Sequence, residues 1–173
     1  QQPEWEVAVG RLGHAITDHP DAFTEKPKHS MDWYYPILSG AVRGATAHGR
    51  IAERWSDFVV EGLGIRCVDD RPWVTGAETC ELVMALDAMG ERDRALQQFE
   101  AMQHLREVDG SYWTGLVFSD GKRWPVERTT WTGAAMILAA DSLSETTAGS
   151  GIFRDDALPR GLEGDYDCEC VRS

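Results

Sequence analysis

The stretch Gln103-His-Leu-Arg-Glu-Val-Asp-Gly-Ser-Tyr-Trp113 decides the first interpretation of this fold. An amphipathic helix runs here directly into a turn that holds Gly110 and two aromatic residues, and a strongly apolar helix begins near Trp131. An outer amphipathic helix followed by an inner apolar helix is typical of helical-hairpin repeats. Such repeats usually build a cup, and the mouth of the cup is then the expected place for chemistry.

The same alternation extends along most of the chain. Apolar residues recur at helical spacing, opposite charged residues, in three segments that we predict to be outer helices: 5–16, 50–60 and 92–106. Three further segments are apolar nearly all round and are predicted to be buried inner helices: 31–42, 77–89 and 131–143. We therefore expect three helical hairpins.

Two other segments depart from the helical pattern. Residues 110–128 contain several aromatic residues and an Asp120-Gly121 pair, which predicts a short β-hairpin in a loop. From residue 146 onward no periodicity survives, so we expect residues 146–173 to form an extended polar tail that is partly docked.

Composition excludes several classes of partner. The 173 residues are one domain's length, and their formal net charge of −12 disfavours binding to nucleic acid or to an anionic membrane surface. No stretch reaches the roughly 18 apolar residues that a membrane span requires. We expect a soluble, cytoplasmic protein whose partner is a small-molecule substrate.

The four cysteines do not indicate a disulfide scaffold. Cys67 and Cys80 lie in apolar surroundings and are expected to be reduced core residues. Cys168 and Cys170 form a lone Cys-Glu-Cys motif without further His or Cys ligands nearby, so a solvated tail is favoured over a metal site. We expect no metal centre.

A family resemblance adds to this interpretation. Gln103, Gly110 and Trp113 resemble the repeat of the alpha-alpha toroid found in prenyltransferases and squalene-hopene-type cyclases, although two residues separate Gly110 from Trp113 where one is usual. The segments 32–36, 73–79 and 129–133 are also similar to actinobacterial proteins described as prenyltransferase-like. The resemblance covers about residues 1–145.

The resemblance implies an all-α toroid with short β-hairpin insertions in its loops. Three hairpins correspond to about half of such a ring, so a second copy or the remainder of a longer chain would complete it. The implied function is that of a transferase or cyclase acting on an isoprenoid or similar apolar substrate in an aromatic-lined cavity. A diphosphate substrate would bring Mg²⁺ as cofactor.

The chemical motifs of that family are incomplete here. The acid motif of the cyclases has aspartate in its first position, whereas Cys67-Val68-Asp69-Asp70 has cysteine there. Aspartate-rich clusters for magnesium and diphosphate are missing at helical spacing, and the zinc ligand set of protein prenyltransferases has no counterpart. The resemblance thus implies a fold more strongly than a reaction.

Three carboxylates occupy analogous places at the starts of the inner helices: Asp32, Glu78 and Glu127. Carboxyl groups at the base of an apolar cavity can act as general acid and base, so these three are the candidate catalytic residues. The alternative is that they stabilise helix N-termini, with Asp32 as an N-cap.

Aromatic residues and arginines cluster near the same helix starts, and Trp124 lies in the loop that feeds the third inner helix. Aromatic faces could stabilise a carbocation or stack on a sugar ring, and arginine could clamp a phosphate or carboxylate. The alternatives are packing between helix layers and ordinary loop ion pairs. The candidate substrate-binding residues are Trp33, Tyr34, Tyr35, Arg66, Trp73, Trp113, Arg128, Thr130 and Trp131.

Two further functions stay open beside the isoprenoid enzyme. The same carboxylates could flank a glycosidic bond in a carbohydrate-active toroid enzyme, at one of the two separations that glycosidases use. An incomplete ring with an exposed apolar wall could also be a non-catalytic binding or assembly module.

Overall fold

The structure, a computed structural model, describes residues 2–154. Its α-helices are α1 Pro3–Asp18, α2 Ser30–Leu38, α3 Gly44–Phe58, α4 Gly76–Ala88, α5 Arg92–Ala101 and α6 Thr130–Ser144. Its strands are β1 Val59–Val60, β2 Gly64–Arg66, β3 Trp73–Thr75, β4 Gly115–Val117 and β5 Lys122–Arg123. Short 3₁₀ turns occur at Pro20–Ala22, Met102–Leu105 and Ile152–Arg154.

Helix α4 lies at the centre of the core. It packs against α2, α5 and α6, and only two of its residues are not buried, Glu81 and Ala88. A helix that is covered on every side must be apolar or small all round, which its Ala, Leu, Val and Met content provides. Its first residue is Gly76, where a Cβ would lie 2.9 Å from Cγ2 of Thr132. The starts of α4 and α6 therefore meet closely.

A five-stranded antiparallel sheet lies at the N-terminal end of α4. The strands follow one another in the order β1-β2-β3-β4-β5, and Ile65 pairs with Thr75, which in turn pairs with Gly115. The Asp120-Gly121 reversal joins β4 to β5, with Leu116 opposite Arg123. Strand β3 continues directly into α4, so the sheet determines where the first turn of that helix lies.

The expected all-α toroid is wrong, because the fold is mixed α and β with a continuous antiparallel sheet. Sequence periodicity missed most of the sheet because its strands are only two or three residues long, too short for alternation to be recognised. Residues 59–60 continue the amphipathic spacing of α3, which predicts helix, but they form strand β1. The hairpin at Asp120-Gly121 exists, but as one edge of this sheet and not as an isolated insertion.

The expected tail is described as far as residue 154. Arg154 donates a hydrogen bond of 2.6 Å to Oδ2 of Asp87, and Arg43 donates one of 2.8 Å to the carbonyl of Phe153. Residues 152–154 are thus docked on the core. Residues 155–173, with Cys168 and Cys170, lie outside the described residues.

Cys67 and Cys80 are both free thiols, with Cys80 fully buried and Cys67 half-buried. Among residues 2–154, no helix combines the length and the apolar character that crossing a membrane requires.

Candidate functional site

A cavity of about 220 Å³ opens where the sheet meets the starts of α4 and α6. Strands β3 and β4, the first turns of the two helices and the loop before α6 supply its walls. Two of the predicted catalytic carboxylates, Glu78 and Glu127, lie in it together. The complete lining is Trp73, Thr75, Ala77, Glu78, Thr114, Trp124, Pro125, Glu127, Thr129, Trp131 and Thr132.

Trp73 and Trp124 form one wall of the cavity. Their rings meet edge to face with centroids 4.8 Å apart, and Nε1 of Trp73 donates a hydrogen bond of 2.6 Å to the carbonyl of Trp124. A Cβ at Gly115 would lie 2.6 Å from the carbonyl oxygen of Val74 and closer still to Nε1 of Trp73. Only glycine at position 115 leaves the Trp73 indole where it is.

The loop that carries Glu127 is tied to β4 by backbone hydrogen bonds. The amide of Trp124 donates to the carbonyl of Gly115 at 3.2 Å, and the amide of Thr114 donates to the carbonyl of Glu127 at 3.1 Å. Within the loop, the amide of Glu127 donates to the carbonyl of Pro125 at 2.8 Å. These bonds hold the backbone of the loop while the Glu127 side chain remains exposed to solvent.

Threonine hydroxyls line the side of the cavity next to α6, and most of them bond to one another. Thr129 caps α6 by accepting a hydrogen bond from the amide of Thr132, and the two hydroxyls are 2.8 Å apart. Thr114 donates to Thr129 at 3.4 Å. The buried hydroxyl of Thr75, by contrast, has no hydrogen-bond partner within residues 2–154.

Glu78 is only 7% exposed and lies in the first turn of α4. Glu81 follows one helical turn later on the same face, where it accepts a hydrogen bond of 2.6 Å from the Tyr34 hydroxyl and a longer one of 3.4 Å from Tyr35. Burial raises the pKa of Glu81, and hydrogen bonds from Tyr34, Tyr35 and Trp131 oppose that rise. Glu81 thus links α2, α4 and the cavity wall at Trp131.

Cys67 lies on the other side of Glu78. Burial, followed by the charge of Glu78 and a hydrogen bond to it, raises the pKa of the Cys67 thiol to about 12. The thiol is therefore protonated at neutral pH and can donate a hydrogen bond to a side-chain oxygen of Glu78. Glu78 belongs both to the cavity and to a buried polar cluster behind it.

The third predicted carboxylate, Asp32, is placed elsewhere. It lies in the first turn of α2 and accepts a hydrogen bond of 3.3 Å from the amide of Lys26. It does not line the cavity. The structure brings together Glu78 and Glu127 but not Asp32.

The predicted substrate-binding residues divide in the same way. Trp73 and Trp131 line the cavity. Tyr34 and Tyr35 do not line it but donate hydrogen bonds to Glu81. Trp33 is 2% exposed and stacks on Phe58 in the core, so it offers no face to a ligand.

The remaining predicted contacts lie outside the cavity. Arg66 donates to the carbonyl of Asp57 at 2.6 Å. Arg128 lies over the ring of Trp113, 5.3 Å from its centroid, and pairs with Asp109 at 3.0 Å. Thr130 is the exposed first residue of α6. Neither arginine lines the cavity.

Sequence reasoning missed Glu81, Thr75 and Thr132. Glu81 had a usable signal, because it follows Glu78 by three residues on a helix that is otherwise apolar. Thr75 and Thr132 had none, since a threonine at a strand end or helix start is common. No group of three or more potential metal ligands occurs among residues 2–154.

The residue types that line the cavity are those used in carbohydrate chemistry. Tryptophan faces can stack on the apolar faces of a pyranose ring, and two carboxyl groups in one cavity can act on a glycosidic bond. Prenyl transfer would instead need a site for a diphosphate, and among residues 2–154 no arginine or lysine lines this cavity.

Comparison with known proteins gives one relative. No family model matches the chain. Over 172 residues the chain is 74% identical to a protein of Mycolicibacterium hassiacum named MMP endo-(1,4)-3-O-methyl-alpha-D-mannosidase. The match covers 99% of this chain and 48% of that relative, so the chain spans about half the relative's length. The relative is a glycosidase by name, which overturns the expected prenyltransferase or cyclase family and its isoprenoid substrate.

Proposed function

We propose that the cavity is the substrate site of an endo-glycosidase that cleaves α-(1,4)-linked chains of 3-O-methyl-D-mannose. One observation carries the proposal: Glu78 and Glu127 line a single tryptophan-walled cavity. The 74% identity to a protein named for this activity supports the choice of substrate. The carbohydrate-active alternative from the sequence is thus preferred over the isoprenoid enzyme.

The two carboxyl groups would divide the reaction between them. Glu78, which is buried, donates a proton to the glycosidic oxygen as the bond from that oxygen to the anomeric carbon breaks. Glu127, which is exposed, takes a proton from the water whose oxygen forms the new bond to the anomeric carbon. Before the next cycle, Glu78 takes up a proton from solvent and Glu127 releases one.

The cavity is too small to enclose a whole oligosaccharide. At about 220 Å³ it is smaller than the pockets that enclose drug-sized ligands, so it accommodates little more than one sugar ring. The rest of a polysaccharide must continue outside, and Trp124 and Trp131 line the cavity while more than half of each side chain stays exposed. Tryptophan faces are suitable surfaces for the sugars on either side.

Product analysis tests the proposal. The protein is incubated with an α-(1,4)-linked 3-O-methylmannose decasaccharide, and the products are sized by mass spectrometry. We expect internal cleavage to several shorter oligosaccharides, and a loss of about 10²-fold or more in kcat for Glu78→Gln and Glu127→Gln. Glu53→Gln, an exposed change on α3, is the matched control and should leave the rate unchanged.

Two results would overturn the proposal. The first is intact oligosaccharide after incubation with the folded protein. The second is internal cleavage that survives both substitutions within a few-fold, since the carboxyl groups that act on the bond would then lie elsewhere. We also expect a cytoplasmic location, which cell fractionation can test. The expectation that a second copy or the remainder of a longer chain completes a ring lapses with the toroid.

A further inference from the structure

The two sides of the cavity differ in chemistry. Trp73, Trp124 and Pro125 form an apolar side. Among the threonines that line the cavity, the hydroxyls of Thr129 and Thr132 bond to each other at 2.8 Å, so much of their hydrogen-bonding capacity is already used. A sugar in this cavity therefore meets carboxylates at one point and an apolar surface at another.

A 3-O-methyl group changes the contacts that a mannose residue can make with a protein. The ether oxygen can no longer donate a hydrogen bond, and the added methyl carbon gains free energy from an apolar contact. In a (1,4)-linked chain, O3 is attached to the carbon next to the one that bears the glycosidic oxygen. A surface that recognises the methyl next to the cleaved bond therefore lies within one sugar ring of the catalytic carboxylates.

Trp124 meets this geometric requirement. It is three residues from Glu127 in the same loop, and both side chains line the cavity. The loop is compact, because the amide of Glu127 bonds to the carbonyl of Pro125 and the amide of Trp124 bonds to β4. The Trp124 ring is 54% exposed, although its edge-to-face contact with Trp73 fixes its orientation. It is an oriented apolar surface with one side open.

From this juxtaposition we infer that Trp124, backed by Trp73 and Pro125, contacts the 3-O-methyl group and makes the site prefer methylated over unmethylated α-(1,4)-mannose chains. The inference rests on the proposed function and adds a specificity-determining residue to it. An apolar contact with one carbon group typically discriminates by tenfold or somewhat more. Replacing Trp124 by a smaller residue removes that contact and leaves both carboxyl groups in the chain.

The test compares two substrates on the wild type and three variants. The kcat/KM values for an α-(1,4)-linked 3-O-methylmannose tetrasaccharide and for unmethylated α-(1,4)-mannotetraose are measured with the wild type, Trp124→Ala and Trp124→Phe. Alanine retains the backbone carbonyl that accepts the Trp73 hydrogen bond. Trp5→Ala, which removes an exposed indole on α1 outside the cavity, is the control.

We expect the wild type and Trp5→Ala to prefer the methylated substrate by roughly tenfold or more. In Trp124→Ala the preference should fall to near unity, mainly because the methylated substrate reacts more slowly, and Trp124→Phe should restore part of it. The inference is overturned if Trp124→Ala slows both substrates equally, since the ring would then be a general sugar platform. Failure of the wild type to cleave either substrate would instead overturn the proposed function itself.

Discussion

The Tyr34 hydroxyl donates a hydrogen bond of 2.6 Å to Oε2 of Glu81, which joins helix α2 to helix α4 behind the candidate site. Tyr34 is fully buried, and Glu81 is one turn from the cavity carboxylate Glu78. The bond therefore connects core packing to the polar cluster of the site.

Tyr34→Phe tests this bond through stability. Removing the hydroxyl leaves a half-buried carboxylate short of a donor, which should cost about 1–3 kcal/mol of unfolding free energy at pH 7. Urea denaturation measures the loss. Tyr35→Phe, which removes a longer bond of 3.4 Å from an exposed ring, should cost less. Equal losses in the two variants would contradict the role assigned to Tyr34.

The stability of the protein should also depend on pH through Glu81. Burial raises the pKa of Glu81 above its ordinary value of 4.5, so the folded state holds that proton more tightly than the unfolded chain does. The resulting stabilisation is fully present below pH 4.5 and is lost as the pH rises through the folded pKa. Glu81→Gln should therefore lose less stability than the wild type between pH 4 and pH 7, as followed by urea midpoints. A steeper loss in the variant would reverse the sign of the argument.

Cys67 should react slowly with alkylating reagents. With its pKa raised to about 12, the thiolate fraction at pH 8.5 falls below about one in a thousand, and the thiolate is the reactive form. Mass spectrometry of peptides after iodoacetamide treatment of the native protein gives the rate at this residue. Glu78→Gln should accelerate alkylation because it removes a neighbouring negative charge, whereas Glu53→Gln should not. Equal rates in both variants would separate Cys67 from the Glu78 cluster.

Gly115→Ala should damage both the fold and the site. The added methyl would lie 2.6 Å from the carbonyl oxygen of Val74 and would displace the Trp73 indole. We expect a loss of about 1–3 kcal/mol, as is typical of overpacking, together with a shift of tryptophan fluorescence. Gly49→Ala is the matched control, because it lies inside α3 with no atom within 4 Å of the new Cβ. A Gly115→Ala variant as stable as Gly49→Ala would contradict the close packing at Trp73.

Asp87→Asn should destabilise the protein by about 3 kcal/mol or more, since the Asp87 carboxylate is nearly fully buried. It accepts hydrogen bonds of 2.6 Å from both Ser142 and Arg154, which tie α6 and residues 152–154 to the end of α4. Thermal unfolding followed by circular dichroism provides the measurement. Asp93→Asn, an exposed change on α5, should have almost no effect. A melting temperature unchanged in Asp87→Asn would show that this contact is not a structural anchor.

The helices of this protein could be predicted from sequence because each is long enough to show its period. The apolar segments 31–42, 77–89 and 131–143 overlap α2, α4 and α6, and the amphipathic segments overlap α1, α3 and α5. Apart from the hairpin at Asp120-Gly121, the sheet could not be predicted, because strands of two or three residues are specified by pairing with distant segments. Thr75 opposite Gly115 is such a pair, and nothing local in either segment indicates it.

The candidate site was predictable only in part, for a related reason. A position at or just before the start of an inner helix predicts Glu78, Glu127, Trp73 and Trp131 as site residues. The same rule predicts Asp32. The rule fails for Asp32 because the start of α2 lies against Lys26 and not beside β3 and β4, which form the cavity. The long-range pairing that could not be predicted from sequence is what selects the residues that meet.

A crystal structure of the Glu127→Gln variant with an α-(1,4)-linked 3-O-methylmannose tetrasaccharide would place the substrate. We predict a sugar ring in the cavity, its glycosidic oxygen within hydrogen-bonding distance of Glu78 and residue 127, and a 3-O-methyl group against the Trp124 ring. An ordered oligosaccharide bound elsewhere on the protein, with only water between Trp73, Trp124 and Trp131, would contradict the assignment of this cavity as the site of cleavage.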